Sequence, residues 1–300
     1  MADTTLLWNA RIVDGSGARE GMAISIDGAR IVRVEHIVTD EVPPGAIDVV
    51  GKSVLPGLID VHNHFMSGLD RSPGFGPPKA KQGDIPRPRA LGHYVLAASA
   101  NAILRSGFTS IRDVGCYDDE SLVAGQAISL GVVPGPRIFS CGRIISATAP
   151  GGTIFGSMYR EADGPWDMRK AVREQIRRGA HFIKFMATGA RSVVAEDPEP
   201  PQMTLLEMEA IVDEAHRMGV RVAAHAEGLA GTRWALEAGA DAIEHGLALH
   251  RDPSLLDLMA ERGTVLVPLS PRSMISPSAL STTSRKCWST RRNDSSRRPI

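Results

Sequence analysis

From Val54 onward the chain repeats one unit: a short, near-continuous apolar run, a polar loop, then a stretch of helical periodicity. The apolar runs fall at 54–61, 108–114, 137–141, 182–186, 220–224, 240–244 and 264–269. The helical patterns lie between them, at about 89–105, 119–130, 166–178, 204–218, 229–238 and 253–262. Thr204-Leu-Leu-Glu207 is a capping box that opens one of these helices, and Gly219 closes it. Strands that are apolar throughout and alternate with helices pair in parallel, because the crossover helices cover both faces of the sheet. Seven such strands, each followed by a polar loop, predict an α/β fold of the TIM (β/α)8 barrel type rather than an open doubly wound sheet. No Gly-x-Gly-x-x-Gly follows the first strand, which argues against a dinucleotide site.

Two flanking segments break this rhythm. Residues 1–53 hold short β runs, Leu6–Val13, Met22–Ile26 and Arg30–Val34, cut by the turn signals Asp14-Gly15, Asp27-Gly28 and Pro43-Pro44-Gly45. They read as the N-terminal part of a small β domain. Residues 270–300 carry nine Ser and six Arg with no periodicity, a composition that cannot bury enough surface to order itself. The expected organisation is therefore 1–53, a barrel at 54–269, and an aberrant or disordered tail at 270–300. A complete barrel typically needs about 250 residues. The run from Val54 to Leu269 is shorter, and an eighth strand is expected to be missing. A native basic tail is one explanation, and a cut or frame shift near residue 270 is another.

Composition removes several function classes. Formal net charge is +0, so no global field favours nucleic acid or an anionic membrane. No apolar run is long enough to span a bilayer, and the first residues lack the pattern of a secretory signal. Cys116, Cys141 and Cys287 are few, odd in number and unclustered, which argues against a disulfide framework and fits a reducing compartment. The expectation is a cytoplasmic protein acting on a small-molecule substrate, with no nucleic-acid or membrane partner; homo-oligomerisation stays open.

In barrels, chemistry sits at the C-terminal ends of the strands. Those ends carry His62 and His64 on the first strand, Asp113 on the second, Lys184 on the fourth, His225 on the fifth and His245 on the sixth. Alternate residues of a strand share a face, so the imidazoles of His62 and His64 project together as half of a metal site. His225 and His245 taken singly suit a hydrogen-bonded core histidine as well as a ligand; the set of four plus a lysine is hard to explain without metal. Lys184 sits in the apolar run Phe182-Ile-Lys-Phe-Met186, where a bare ammonium is costly. It either reaches the barrel mouth or pairs with a carboxylate, or it is a desolvated amine able to take up CO2 as a carbamate. His216 reads as a solvated helix residue and His181 as structural.

Pro56-Gly-Leu-Ile-Asp-Val-His62-Asn-His64, Thr109-Ser-Ile-Arg-Asp113-Val-Gly115, Phe182-Ile-Lys184-Phe-Met-Ala-Thr-Gly189, Ala224-His225-Ala-Glu-Gly228 and Ile243-Glu-His245-Gly246 together resemble the amidohydrolase superfamily. The similarity is to the binuclear branch of Xaa-Pro dipeptidase-like and imidazolonepropionase-like enzymes that includes ochratoxin-hydrolysing amidases. It covers about residues 5 to 270. The resemblance implies a TIM barrel with a small β-sandwich domain and two divalent metal ions, usually zinc. His62 and His64 would bind one, His225 and His245 the other, and a CO2-derived carbamate on Lys184 would bridge them. It further implies hydrolysis of amide or related C–N bonds by a metal-bridging hydroxide, with Lys184 and His245 serving the catalytic centre as well as holding metal.

The sequence departs from that pattern where the family places an acid/base Asp at the end of strand eight. Asp294 has no strand around it and takes no such role. The rival reading is accordingly a truncated, catalytically inactive remnant that still binds metal; a mononuclear deaminase that dispenses with Lys184 is a third. The long loops 65–90, 142–165 and 187–203 are expected to form the pocket, with Tyr159 and Arg191 as substrate contacts. Asp113 is expected to support the ligands or the fold rather than bind metal.

Overall fold

The computed structural model describes residues 4–39, 41–67 and 90–269. Most of the predicted 65–90 loop, and the 270–300 tail with Cys287 and Asp294, lie outside the described residues.

The N-terminal segment forms one five-stranded sheet. β1 (Thr4–Asp14) and β2 (Gly17–Asp27) pair antiparallel, and β3 (Arg30–His36) joins the far edge of β2. The Asp27-Gly28 signal makes the predicted hairpin, with Gly28 at φ 55°, a value glycine adopts without strain. β4 (Ile47–Asp48) and β5 (Ser53–Val54) both run parallel to β1. The run read as one strand from Val54 to Val61 is therefore two: Val54 packs on Ala10, Ile12, Met22 and Ile24 of the small sheet, and the barrel begins at β6 (Leu58–Asn63). Pro56 and Gly57 make the break. Proline cannot donate to a ladder, and a Cβ on Gly57 would lie 2.1 Å from Thr109 Oγ1, so this passage admits no side chain.

From β6 the order is α1 (Leu91–Arg105), β7 (Phe108–Asp113), α2 (Glu120–Ser129), β8 (Arg137–Ser140), β9 (Ile144–Ser146), α3 (Pro150–Phe155), β10 (Tyr159–Glu161), α4 (Pro165–Arg177), β11 (Ile183–Met186), α5 (Leu205–Arg217), β12 (Val222–Ala226), α6 (Leu229–Glu237), β13 (Ala242–His245), α7 (Ser254–Arg262) and β14 (Val265–Pro268). The six helices foreseen all form. The capping box is present, with Glu207 N donating to Thr204 Oγ1 and Thr204 N to Glu207 Oε2.

Two parallel sheets make the barrel wall, β6-β7-β8 and β10-β9-β11-β12-β13-β14. They meet where His181 N donates to the Ser140 carbonyl at 2.8 Å and Ser140 N donates to His181 Nδ1 at 3.2 Å, which gives His181 its structural place. The seven foreseen strands are β6, β7, β8, β11, β12, β13 and β14. The short pair β9–β10 was not foreseen; three-residue strands inside the 142–165 loop offer too little periodicity to read. Phe185, Ile145, Met168, Met208, Ile211, Leu236 and Ile243 fill the layer between strands and helices. Ile59 and Val61 on β6 and Val265 on β14 stay exposed, since neither strand has a second neighbour among the described residues.

Candidate active site

All five predicted ligands line one cavity of about 370 Å³ at the C-terminal ends of the strands: His62, His64, Lys184, His225 and His245. Ring centroids lie 5.6 Å apart for His62 and His64, 4.9 Å for His62 and His245, and 4.6 Å for His225 and His245.

The backbone explains how two successive residues of β13 reach the same place. In an extended strand Glu244 and His245 would point to opposite faces. His245 instead has φ 68°, a left-handed conformation rare outside glycine. This turn brings the His245 ring against His62, whose Nδ1 lies 2.7 Å from Glu244 Oε2. Backbone strain of this kind persists only where the surroundings enforce it, and it concentrates at functional sites.

Hydrogen bonds assign the protons on three rings. A carboxylate or a carbonyl oxygen only accepts, so the Nδ1 atoms of His62 and of His64, the latter 2.9 Å from the Gly115 carbonyl, carry the proton and donate. Their Nε2 lone pairs are left for a cation. His225 uses its Nε2 on the Gly189 carbonyl at 3.3 Å, which leaves its Nδ1. Burial holds every imidazole neutral. It lowers the pKa of His62 against the opposing pull of Glu244, takes His64 to about 4 and His225 well below the usual range, and with the Lys184 charge takes His245 to about 3. Neutral imidazoles with free lone pairs converging on one space are the donor set that a divalent transition metal requires.

Lys184 is 2% exposed on β11, in register with Ala223 of β12. Burial lowers its pKa, opposed by the charge of Glu244. Glu244 is itself 0% exposed; burial pushes its pKa up, but Lys184, the His62 hydrogen bond and Arg112 outweigh this and hold it at about 2. Arg112 Nη1 donates to Glu244 Oε1 at 2.7 Å and to the Val61 carbonyl at 3.1 Å, while its guanidinium stacks 4.3 Å from the Phe182 ring.

Asp113 lies outside the cavity. It is a buried hub that accepts from Phe65 N at 2.8 Å, Ser121 Oγ at 2.6 Å and Ser140 Oγ at 2.7 Å, tying the exit of β6 to β7, α2 and β8. Tyr159 and Arg191 do line the cavity. The Tyr159 phenol is buried, with its pKa raised by that burial, and packs with Ile144, Phe155, Met158 and Met186 as an apolar wall. Arg191 stands at the rim, its Nε 3.4 Å from Glu227 Oε2. His216 is an exposed residue of α5, as the sequence suggested, and its Nε2 also contacts Asp241 Oδ2 at 2.8 Å.

Sequence reasoning missed Glu244, Arg112 and Glu227. A signal existed for the first. An acid inside Ala242-Ile-Glu-His demands a cationic partner by the argument applied to Lys184. Its partners lie 132 and 182 residues away in the chain, beyond the reach of any local pattern. Glu227 joins His225 and His245 in a group whose ligand atoms all lie within 4.8 Å of one another.

Residues 53–289 match the amidohydrolase family, and the chain belongs to that family. Among curated proteins it is 33% identical over 244 residues to the ochratoxinase of Aspergillus niger, covering 74% of this chain and 48% of that protein. An uncharacterised Mycobacterium tuberculosis protein is 29% identical over 236 residues, 78% of this chain and 55% of that one. The chain thus spans about half the length of the curated relatives it matches. Among solved structures, a Xaa-Pro dipeptidase with bound methionine in its active site superposes with a TM-score of 0.75 at 31% identity, covering 89% of this chain and 66% of the other. The A. niger ochratoxinase structure gives 0.70 at 29% identity, covering 88% and 64%. The fold is the TIM barrel of these amidohydrolases. No helix among the described residues is long and apolar enough to cross a membrane.

Proposed function

We propose that the protein is a metal-dependent hydrolase of amide or related C–N bonds in small molecules. The convergence of four neutral imidazoles and a buried lysine in one cavity carries this reading. His62 and His64 would hold one divalent ion through Nε2, His225 and His245 a second, and Lys184, once carboxylated, would join them; zinc suits this donor set. When bound, such ions polarise a carbonyl and bring the pKa of water to about 7.

The chain's own residues account for the rest. Burial lowers the pKa of Lys184 and so favours its neutral amine, the form that reacts with CO2. Ile144, Phe155, Met158 and Met186 would receive an apolar substituent and exclude water from one side of the scissile bond. Arg191 at the rim would take a carboxylate. This combination favours N-acyl amino acids and dipeptides with an apolar side chain. The names of the relatives, an ochratoxinase and a Xaa-Pro dipeptidase, point to the same class.

The group of His225, Glu227 and His245 supports a second reading with a single ion and no carbamate. Metal content by inductively coupled plasma mass spectrometry, after growth with bicarbonate, separates the readings. Two ions per chain, with turnover on a panel of acyl amino acids and dipeptides, is the expected result. One ion favours the mononuclear reading. Two ions without turnover would leave a metal-binding, inactive protein, and no metal would overturn the proposal.

A further inference from the structure

We propose that Glu244, itself pinned by Arg112, is a positioning residue that fixes the tautomer of His62 and so presents its Nε2 lone pair to the cavity. The inference rests on the metal-hydrolase reading above, but its central claim concerns this chain's own hydrogen bonds. The two carboxylate oxygens are divided: Oε1 takes Arg112 Nη1 at 2.7 Å and Oε2 takes His62 Nδ1 at 2.7 Å. Arg112 is fixed in turn by the Val61 carbonyl, one residue before His62, and by the Phe182 ring. Three strands, β6, β7 and β13, are therefore joined through one side chain, and β13 supplies the neighbouring His245 as well. A guanidinium can only donate, so the carboxylate must accept on that side. A carboxylate accepts on both sides, which obliges His62 Nδ1 to carry its proton.

This geometry makes an unusual demand on the near-isosteric amide. In Glu244→Gln, the amide oxygen must face Arg112, which turns the NH2 toward His62 Nδ1. That nitrogen must then accept, the ring proton moves to Nε2, and the lone pair leaves the cavity. Weakening the partner that orients a metal-ligating histidine typically costs roughly 10- to 100-fold in metal affinity. Replacing Arg112 by Met in the same chain frees the Gln oxygen to turn toward His62 and should restore the original tautomer.

Long-range ¹H–¹⁵N NMR on the metal-free full chain reads the tautomer directly, with the His62 signal assigned by its loss in His62→Asn. Competition with a chromogenic chelator reads zinc affinity. The expected results are an Nδ1–H tautomer in the wild type, an Nε2–H tautomer in Glu244→Gln with one zinc bound roughly 10- to 100-fold more weakly, and recovery of both in Glu244→Gln/Arg112→Met. A wild-type His62 found as Nε2–H would overturn the proposal without any variant being needed. So would a folded Glu244→Gln, judged by circular dichroism, with unchanged tautomer and zinc affinity. A tautomer that switches as expected in Glu244→Gln, alongside a wild type that binds no zinc, would overturn the metal reading and leave the positioning role standing.

Discussion

Two buried glutamates show how one side chain serves opposite ends. Glu214, on the face of α5 that meets α4, is 1% exposed and accepts from Arg173 through Nε at 2.7 Å and Nη2 at 3.2 Å, with Arg169 and Arg217 alongside. Glu244, on β13 inside the barrel, is equally buried and also takes an arginine. The hydrogen bonds from Arg173 and Arg217 hold Glu214 at about 2, the same value that Lys184, His62 and Arg112 impose on Glu244. Solvent exposure and protonation state thus do not distinguish them. Their partners do. The ion-pair partners of Glu214 are arginines that reach solvent and ask only for charge compensation. Glu244 gives its second oxygen to a histidine whose other nitrogen faces a cavity. A buried ion pair is a structural fastening until one of its members has a further task.

The contrast predicts that changes inside the barrel act on metal content and changes outside it act on stability. Lys184→Ala carries the largest expected effect: loss of at least one equivalent of metal and of detectable hydrolysis, read by mass spectrometry and by the substrate panel. Undiminished metal content would break the contrast, since the interior lysine would then be a mere fastening.

Asp113 sharpens it from the third side, as an interior carboxylate with no cavity to face. Burial raises its pKa from 3.8 to about 6. Between these values the folded state binds the proton and the unfolded state does not, so the associated stability is complete below pH 3.8 and is lost as the pH rises through about 6. Asp113→Asn should remove that dependence, a difference on the order of 3 kcal/mol across the window. Urea titrations of both proteins from pH 4 upward test it, with metal stoichiometry expected to stay unchanged.

Glu214→Gln should lower stability by about 2 kcal/mol, the scale of hydrogen bonds to charged groups, and leave metal content alone. A loss of zinc in this variant would erase the distinction between the two glutamates. The smallest effect belongs to the surface. Thr204→Ala removes the capping box of α5 and should cost about 1 kcal/mol in thermal or urea unfolding.

Much of this molecule is legible in the chain. The helices and barrel strands announce themselves because each buries a face or stripe whose period is local. The five candidate ligands are legible for a related reason: a polar residue within or at the end of an apolar strand run stands out against its neighbours. The misreadings share a cause as well. The strand at 54–61 divides because Val54 finds its partners on β1, more than forty residues earlier in the chain. β9 and β10 are too short to carry a period. His216 is solvated as read, but its contact with Asp241, 25 residues further on, could not be seen in the chain.

By itself, then, the sequence determined the main alternation of strands and helices, the cap on α5 and the identity of five polar residues that line the cavity, since those follow from local periodicity and side-chain chemistry. Tertiary structure alone decided which ring nitrogen of His62, His64 and His225 is taken up by a hydrogen bond, which buried glutamate bonds only arginines and which also bonds a histidine, and that Asp113 lies outside the cavity. These are matters of who stands within 3 Å of whom. Residues far apart in the chain become neighbours only when the strands curve around a common interior.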